Sequence, residues 1–142
     1  MKLVWMLLAG TMLASVAAQA DEPATRKPGE WQVSMIGPDG KPKPPQNFCW
    51  GPGSIADITK SMDSCSKSDI SKTGTTTVVD AICTKGTQHI TMHVTIIAAS
   101  DSAYHSEAHM VYSPGMGGMT SMDIATDAKW LGPCAAGDKP SH

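Results

Sequence analysis

The chain has 142 residues, 11 basic and 13 acidic side chains, and a formal charge of −2 with histidine neutral. That length suits one ordinary domain, and the slight acidity gives no electrostatic footprint for nucleic acid or an anionic membrane surface. Charged residues make up 17% of the chain and Thr, Ser, Val and Ile are abundant, which tilts the fold class toward all-β.

Residues 1–20 have the three-part layout of a signal peptide. Lys2 supplies the positive start, residues 3–18 are almost wholly apolar, and Ala18-Gln19-Ala20 offers small residues for cleavage after Ala20. A membrane anchor needs about 20 apolar residues and usually basic flanks. Here the run is shorter and Asp21-Glu22 follows it. Cleavage removes one basic residue, Lys2, and leaves ten basic against thirteen acidic side chains, a formal charge of −3. The expected location is the periplasm, with no transmembrane segment after cleavage.

In chain order, residues 21–29 read as a flexible lead-in, and residues 30–136 as a single β domain. Residues 30–35 alternate Trp31, Val33 and Met35 as a strand does. Residues 37–45, with four prolines and two glycines, form a loop before a strand at 46–50 that carries Cys49. Ser54 then caps a short helix over 54–62, with Asp57 three residues on as its acidic partner. The remainder reads as an antiparallel meander, with strands at 64–72, 76–84, 88–98 and 103–112, then a glycine-broken pair at 118–124 and 128–132. Residues 137–142 form a tail. Six to eight strands of this kind make a curved sheet or an open barrel.

Four cysteines in an exported chain are read as a disulfide framework, and four permit three connectivities. A hairpin turn at Thr73-Gly74-Thr75 that sets Lys72 against Thr76 also sets Cys65 directly against Cys83, within disulfide reach on antiparallel strands. Cys49 and Cys134 then pair by elimination. No two cysteines have the C-x-x-C spacing of a metal site.

Turns centred on Gly74, Gly86 and about Asp101 place the even-numbered apolar residues on one face: Ile70, Val78, Ile82, Ile90, Met92, Val94, Ile96, Tyr104, Ala108, Met110 and Tyr112. This is the expected core, with Ile70 against Val78, Ile82 against Ile90 and Met92 against Met110. The odd face then carries His89, His93, His105, Glu107 and His109, together with the Cys65–Cys83 bridge. A bridge on that face needs a cover, for which the short helix is one candidate, or a bulge that flips its parity.

On the odd face His93 is expected opposite His109, or opposite Glu107 after a two-residue slip. Two imidazoles and a carboxylate are the raw material of a transition-metal site, to which His105, Met116, Met119 and Met122 are further candidate ligands. Residues three apart in a strand point to opposite faces, so those methionines converge only in a loop or helical turn. His89 and His93, four residues apart in one strand, are about 13 Å apart and cannot chelate together. The ordinary reading, a solvated Thr- and His-bearing face over a core that includes methionine, carries more weight.

Catalytic signatures are absent from the sequence. There is no G-x-S-x-G elbow, Gly115-Met116-Gly117-Gly118 lacks the Lys-Ser/Thr of a phosphate loop, and two disulfides leave no thiol nucleophile. The carboxylate pairs Asp63 with Asp69 and Asp123 with Asp127 lie in polar, turn-rich surroundings where solvated surface is the default.

The ending Lys129-Trp130-Leu131-Gly132-Pro133-Cys134 has partners earlier in the chain: Pro28-Gly29-Glu30-Trp31 opening the first strand, a cysteine before the short helix, and the Cys65 and Cys83 hairpin. Together they closely resemble the bacterial DUF3617 family over essentially the whole mature chain. The resemblance implies a small exported antiparallel β protein and supplies no catalytic residue. Ser100-Asp101-Ser102-Ala103-Tyr104 departs from that family's usual hairpin, which tends to carry glycines around an aspartate and a tyrosine, and His93, His105 and His109 lie outside its pattern.

The expected function is a non-enzymatic periplasmic binding or envelope-maintenance domain without a cofactor, acting on a small ligand or an envelope protein. Two alternatives are a Cu- or Zn-binding protein using His93, His109 and the 116–122 segment, and a small apolar-ligand-binding β-barrel lined by the even face. An interaction module would use an exposed apolar patch around Trp50 and the 116–122 loop.

Overall fold

The computed structural model describes residues 25–54, 57 and 62–140. Those residues form nine strands: β1 (Thr25–Arg26), β2 (Gly29–Ile36), β3 (Gln46–Trp50), β4 (Gly53–Ser54), β5 (Ser64–Thr73), β6 (Thr76–Lys85), β7 (Gln88–Ser100), β8 (Ala103–Met116) and β9 (Met119–Gly132). Strands β5 to β9 make the expected meander. The last strand then pairs with β2, so the sheet has the antiparallel order β3-β2-β9-β8-β7-β6-β5. Thr25 and Arg26, inside the segment read as a flexible lead-in, instead pair with β4. The signal-peptide reading and most of the 54–62 helix lie outside the described residues. At the start of that segment the Asp57 carboxylate accepts the Ser54 backbone N–H at 3.0 Å, which is the acidic half of a capping box.

Turn chemistry fixes the register. The β5–β6 and β6–β7 hairpins close on two-residue loops, Gly74-Thr75 and Gly86-Thr87, with both glycines at φ 60°. A glycine at positive φ in the first loop position is the requirement of a type II′ turn. Each loop is one residue shorter than a turn centred on the glycine, and β6 alone is inverted by the difference. Thr77, Val79, Ala81 and Cys83 are buried, whereas Ile82 is exposed and Val78 faces the other side. Ile70 lies opposite Val79 and Ile82 opposite Thr91, in place of the expected Ile70–Val78 and Ile82–Ile90 pairs. Ile70 keeps the expected face but stays 45% exposed, because β5 is an edge strand.

The remaining corrections are local. A bulge at Ser66 restores the opposition of Cys65 and Cys83 beyond it, and the disulfide forms between them. The bulge carries that bridge to the core face, where Cys83 is 1% exposed, not to the histidine face. The glycine-broken pair expected at 118–124 and 128–132 is one continuous strand, since Gly117-Gly118 turns the chain before it and Gly132 ends it.

The even positions of β7 and β8 hold as expected, with Met92 opposite Met110 and Ile90 opposite Tyr112. One core cluster gathers Val79, Ala81, Cys83, Ile90, Met92, Val94, Ile96 and Tyr112. A second gathers Trp31, Val33 and Ala128, and Tyr104 packs against both. Among the described residues β3 and β5 stand at the two ends of this order, and the sheet does not close. With Ile90, Met92, Val94 and Ile96 each no more than 4% exposed, the even face of β7 is filled, and the apolar-ligand barrel is thereby set aside.

Candidate functional site: the histidine–aspartate face

Antiparallel strands with one face on the core present the other to solvent. On that second face, direct cross-strand partners build a titratable row across five strands: Asp69 on β5, Asp80 on β6, His93 on β7, His109 on β8 and Asp123 on β9. Opposed aspartates repel. Here each has a cationic or imidazole partner, Asp69 with Lys67 Nζ at 3.2 Å and Asp80 with His93.

The imidazoles are held from the outside of the row. His93 Nδ1 lies 2.7 Å from Asp80 Oδ1, and His109 Nδ1 lies 2.7 Å from Asp123 Oδ1. An ionised carboxylate only accepts, so Nδ1–H donates in each dyad and the neutral ring keeps its lone pair on Nε2. A third dyad sits four residues along β8, where His105 Nδ1 lies 2.8 Å from Asp127 Oδ1. His105 Nε2 is also 3.7 Å from Glu107. The Asp127 hydrogen bond lifts the His105 pKa above its ordinary value, with Glu107 assisting and burial opposing.

Two clefts open on this face. One, of about 520 Å³, is bounded by His93, Thr95, Glu107, His109 and Asp123, with Ile36 and the 37–40 turn at its rim. The second, of about 470 Å³, runs between Gln32, Ser34, Ile97, His105, Asp127 and Lys129. Exposed Ile36 and Ile97 give both clefts an apolar margin beside the charged row.

The structure brings together only part of the candidate metal set. His93 and His109 are direct partners, and the slipped His93–Glu107 pairing does not occur. Met122 pairs with Met110 and packs against the core, while Met116 and Met119 face one another across the Gly117-Gly118 turn. The methionines therefore do not converge with the imidazoles. The apolar patch expected around Trp50 is also not free, because Trp50 packs against the second core cluster beneath the Arg26 guanidinium, 4.4 Å from its ring centroid.

The residues quoted from the two chain ends meet in one corner. Trp31 lies opposite both Trp130 and Phe48, and stacks obliquely on Trp50 and Tyr104 with centroids 5.9 and 5.8 Å away. The indole N–H groups are satisfied by backbone carbonyls, Trp31 donating to Lys27 at 2.8 Å and Trp130 to Pro28 at 3.1 Å. Lys27 Nζ sits 4.2 Å from the Trp130 ring centroid, and Cys49 is bonded to Cys134. Burial raises the Tyr104 pKa, with Arg26 opposing. Residues 26–134 match the family described as "Protein of unknown function (DUF3617)". The chain belongs to DUF3617. No curated protein and no solved structure matches it. The DUF3617 match begins at Arg26 and ends at Cys134, so it runs from the cation of this corner to its disulfide. In this chain the signature residues do structural work there, away from the histidine–aspartate face.

Three residues of that face, Asp80, Asp123 and Asp127, are absent from the sequence-derived site. Their pairing depends on local features that apolar alternation does not report. The Gly117-Gly118 turn sets Met116 against Met119, a register that would carry His109 to Thr126, and the irregularity between Val111 and Met116 shifts it so that Asp123 lies against His109 and Asp127 against His105. Asp80 required the two-residue Gly86-Thr87 loop, without which it falls on the wrong face.

Proposed function

We propose that this DUF3617 protein is exported to the periplasm and acts there as a non-enzymatic binding domain, with the histidine–aspartate face as its working surface. The observation that carries the reading is the position of the two clefts. Both open on the polar face, while among the described residues the opposite face carries the buried cluster of Val79, Ile90, Met92, Val94 and Ile96. Export is supported by the signal-like residues 1–20 and by two disulfides, which persist in oxidising compartments. Binding in preference to catalysis is supported by the fate of the cysteines, all four of which are in disulfides.

The test is a titration of the oxidised, isotope-labelled mature chain with a periplasmic small-molecule extract, followed by amide NMR. The reading expects shifts at His93, Thr95, Ile97, His105, Glu107 and His109. Shifts confined to the Trp31 corner or the Gly117-Gly118 turn, or none at all, overturn it. For export, the protein recovered from the periplasmic fraction is expected to begin at Asp21, and an uncleaved cytosolic chain is the contrary result.

A further inference from the structure

We propose that His93 and His109 form a two-imidazole site for a borderline divalent transition-metal ion, Cu²⁺ or Zn²⁺, each ring coordinating through Nε2. This deepens the binding-face reading and rests on it. Three observations lead to it. First, the two histidines are direct cross-strand partners on β7 and β8, and the Cβ atoms of such pairs lie about 4.5–5.5 Å apart. Two rings so placed can reach one ion at the usual metal–nitrogen distance of about 2.0–2.1 Å.

Second, each ring is oriented as metal-bound histidines are. Asp80 and Asp123 flank the pair on opposite sides and accept hydrogen bonds from Nδ1–H, with N···O distances of 2.7 Å. A carboxylate on Nδ1 fixes the tautomer and limits ring rotation, at a strength worth about 10–100-fold in metal affinity where such partners have been removed. Third, both rings border the larger cleft together with Glu107, whose carboxylate is 75% exposed and stands 3.7 Å from His105 Nε2. The two nitrogens of His105 itself face Asp127 and Glu107.

The donor set also selects the ion. With Met116, Met119 and Met122 directed elsewhere, the site offers nitrogen and oxygen and no thioether, which disfavours Cu⁺ and suits Cu²⁺ or Zn²⁺. Among the described residues no three histidine, cysteine or carboxylate side chains already converge. The remaining coordination positions therefore belong to water, to a movable Glu107 or to a small exogenous ligand in the cleft. An ion held by two protein nitrogens with open positions is exchangeable, as suits a binding domain.

The experiment loads the chelator-stripped, oxidised mature chain with Cu²⁺ or with Zn²⁺ alone. Zn²⁺ is followed by calorimetry and Cu²⁺ by electron paramagnetic resonance. The inference expects one ion per chain, a two-nitrogen copper signature, and at least a tenfold weaker affinity in His93→Gln and in His109→Gln. Asp80→Asn and Asp123→Asn are expected to weaken binding about 10–100-fold with the ligands still present, and His89→Gln, four residues along β7 from His93, to leave it unchanged. No binding at millimolar metal, or equal losses in His89→Gln and His93→Gln, overturns the metal site. If metal fails while the periplasmic extract still shifts the polar face, the binding-face reading stands and only the metal is lost. If the extract also leaves that face unmoved, both fall.

Discussion

At the residue scale, Gly29 is the sharpest constraint in the chain. Its φ of 140° lies where side chains are rarely accommodated, and a Cβ there would collide with the Gly132 carbonyl oxygen and the Trp130 indole nitrogen. The Pro28-Gly29-Glu30-Trp31 and Trp130-Leu131-Gly132 segments interlock only because that Cβ is missing. Gly29→Ala should therefore lower unfolding free energy by about 3 kcal/mol, measured by urea denaturation, since backbone strain alone costs about 1–3 kcal/mol and the collision adds to it. His105 carries a pH dependence of definite sign. Asp127 raises its folded-state pKa, so the pair contributes stability that is fully present below the unfolded value near 6.5 and is lost as pH rises through the folded pKa. The gap in urea midpoint between the native chain and His105→Gln should shrink from pH 6 to pH 8.5. A constant gap across that range would show that the dyad does not form. The contribution is small, because both partners are largely in water.

At the element scale the turns decide which face each strand presents. Gly74 and Gly86 have the same φ of 60° and nothing near where a Cβ would stand, so Gly86→Ala tests conformation without collision. It should cost about 1–2 kcal/mol by urea denaturation, less than Gly29→Ala. This scale also explains what could be read in the sequence. The β7 and β8 core positions, the Met92–Met110 register and the His93–His109 opposition follow from apolar alternation, which a one-residue slip would invert. The face of β6 was not readable from alternation alone, because Val78 and Val79 are adjacent and Ile82 and Cys83 are adjacent, so both parities offer apolar residues. Only the Gly-Thr loop length separates them. The Cys65–Cys83 bridge was legible although its register was not. Shortening the turn moved Cys65 out of opposition, and the Ser66 bulge moved it back. Asp80 depends on the Gly86-Thr87 loop, and Asp123 and Asp127 on the irregularity between Val111 and Met116, which is why the histidines were found in the sequence and their partners were not.

At the scale of the whole molecule, the seven-stranded antiparallel sheet is tied at both ends of its strand order. Cys49–Cys134 joins the edge strand β3 to the segment after β9 across 85 residues of sequence, and Cys65–Cys83 ties the other edge strand to its neighbour across 18. In the chain-entropy account these closures are worth about 4.5 and 3 kcal/mol. Replacing Cys49 and Cys134 with serine should consequently cost more in urea-measured stability than losing the shorter loop's entropy alone predicts. A cost below 1 kcal/mol would contradict the assignment of the longer tie as a main support. Between those ties lies the polar face, where three imidazoles are each oriented by an aspartate on the neighbouring strand. The most direct measurement of that arrangement is long-range ¹H–¹⁵N NMR of the histidine rings in the oxidised, metal-free mature chain near pH 8. The protonated-Nδ1 tautomer is predicted at His93, His105 and His109; the protonated-Nε2 tautomer at His93 and His109 would contradict the dyads and, with them, the binding face built on them.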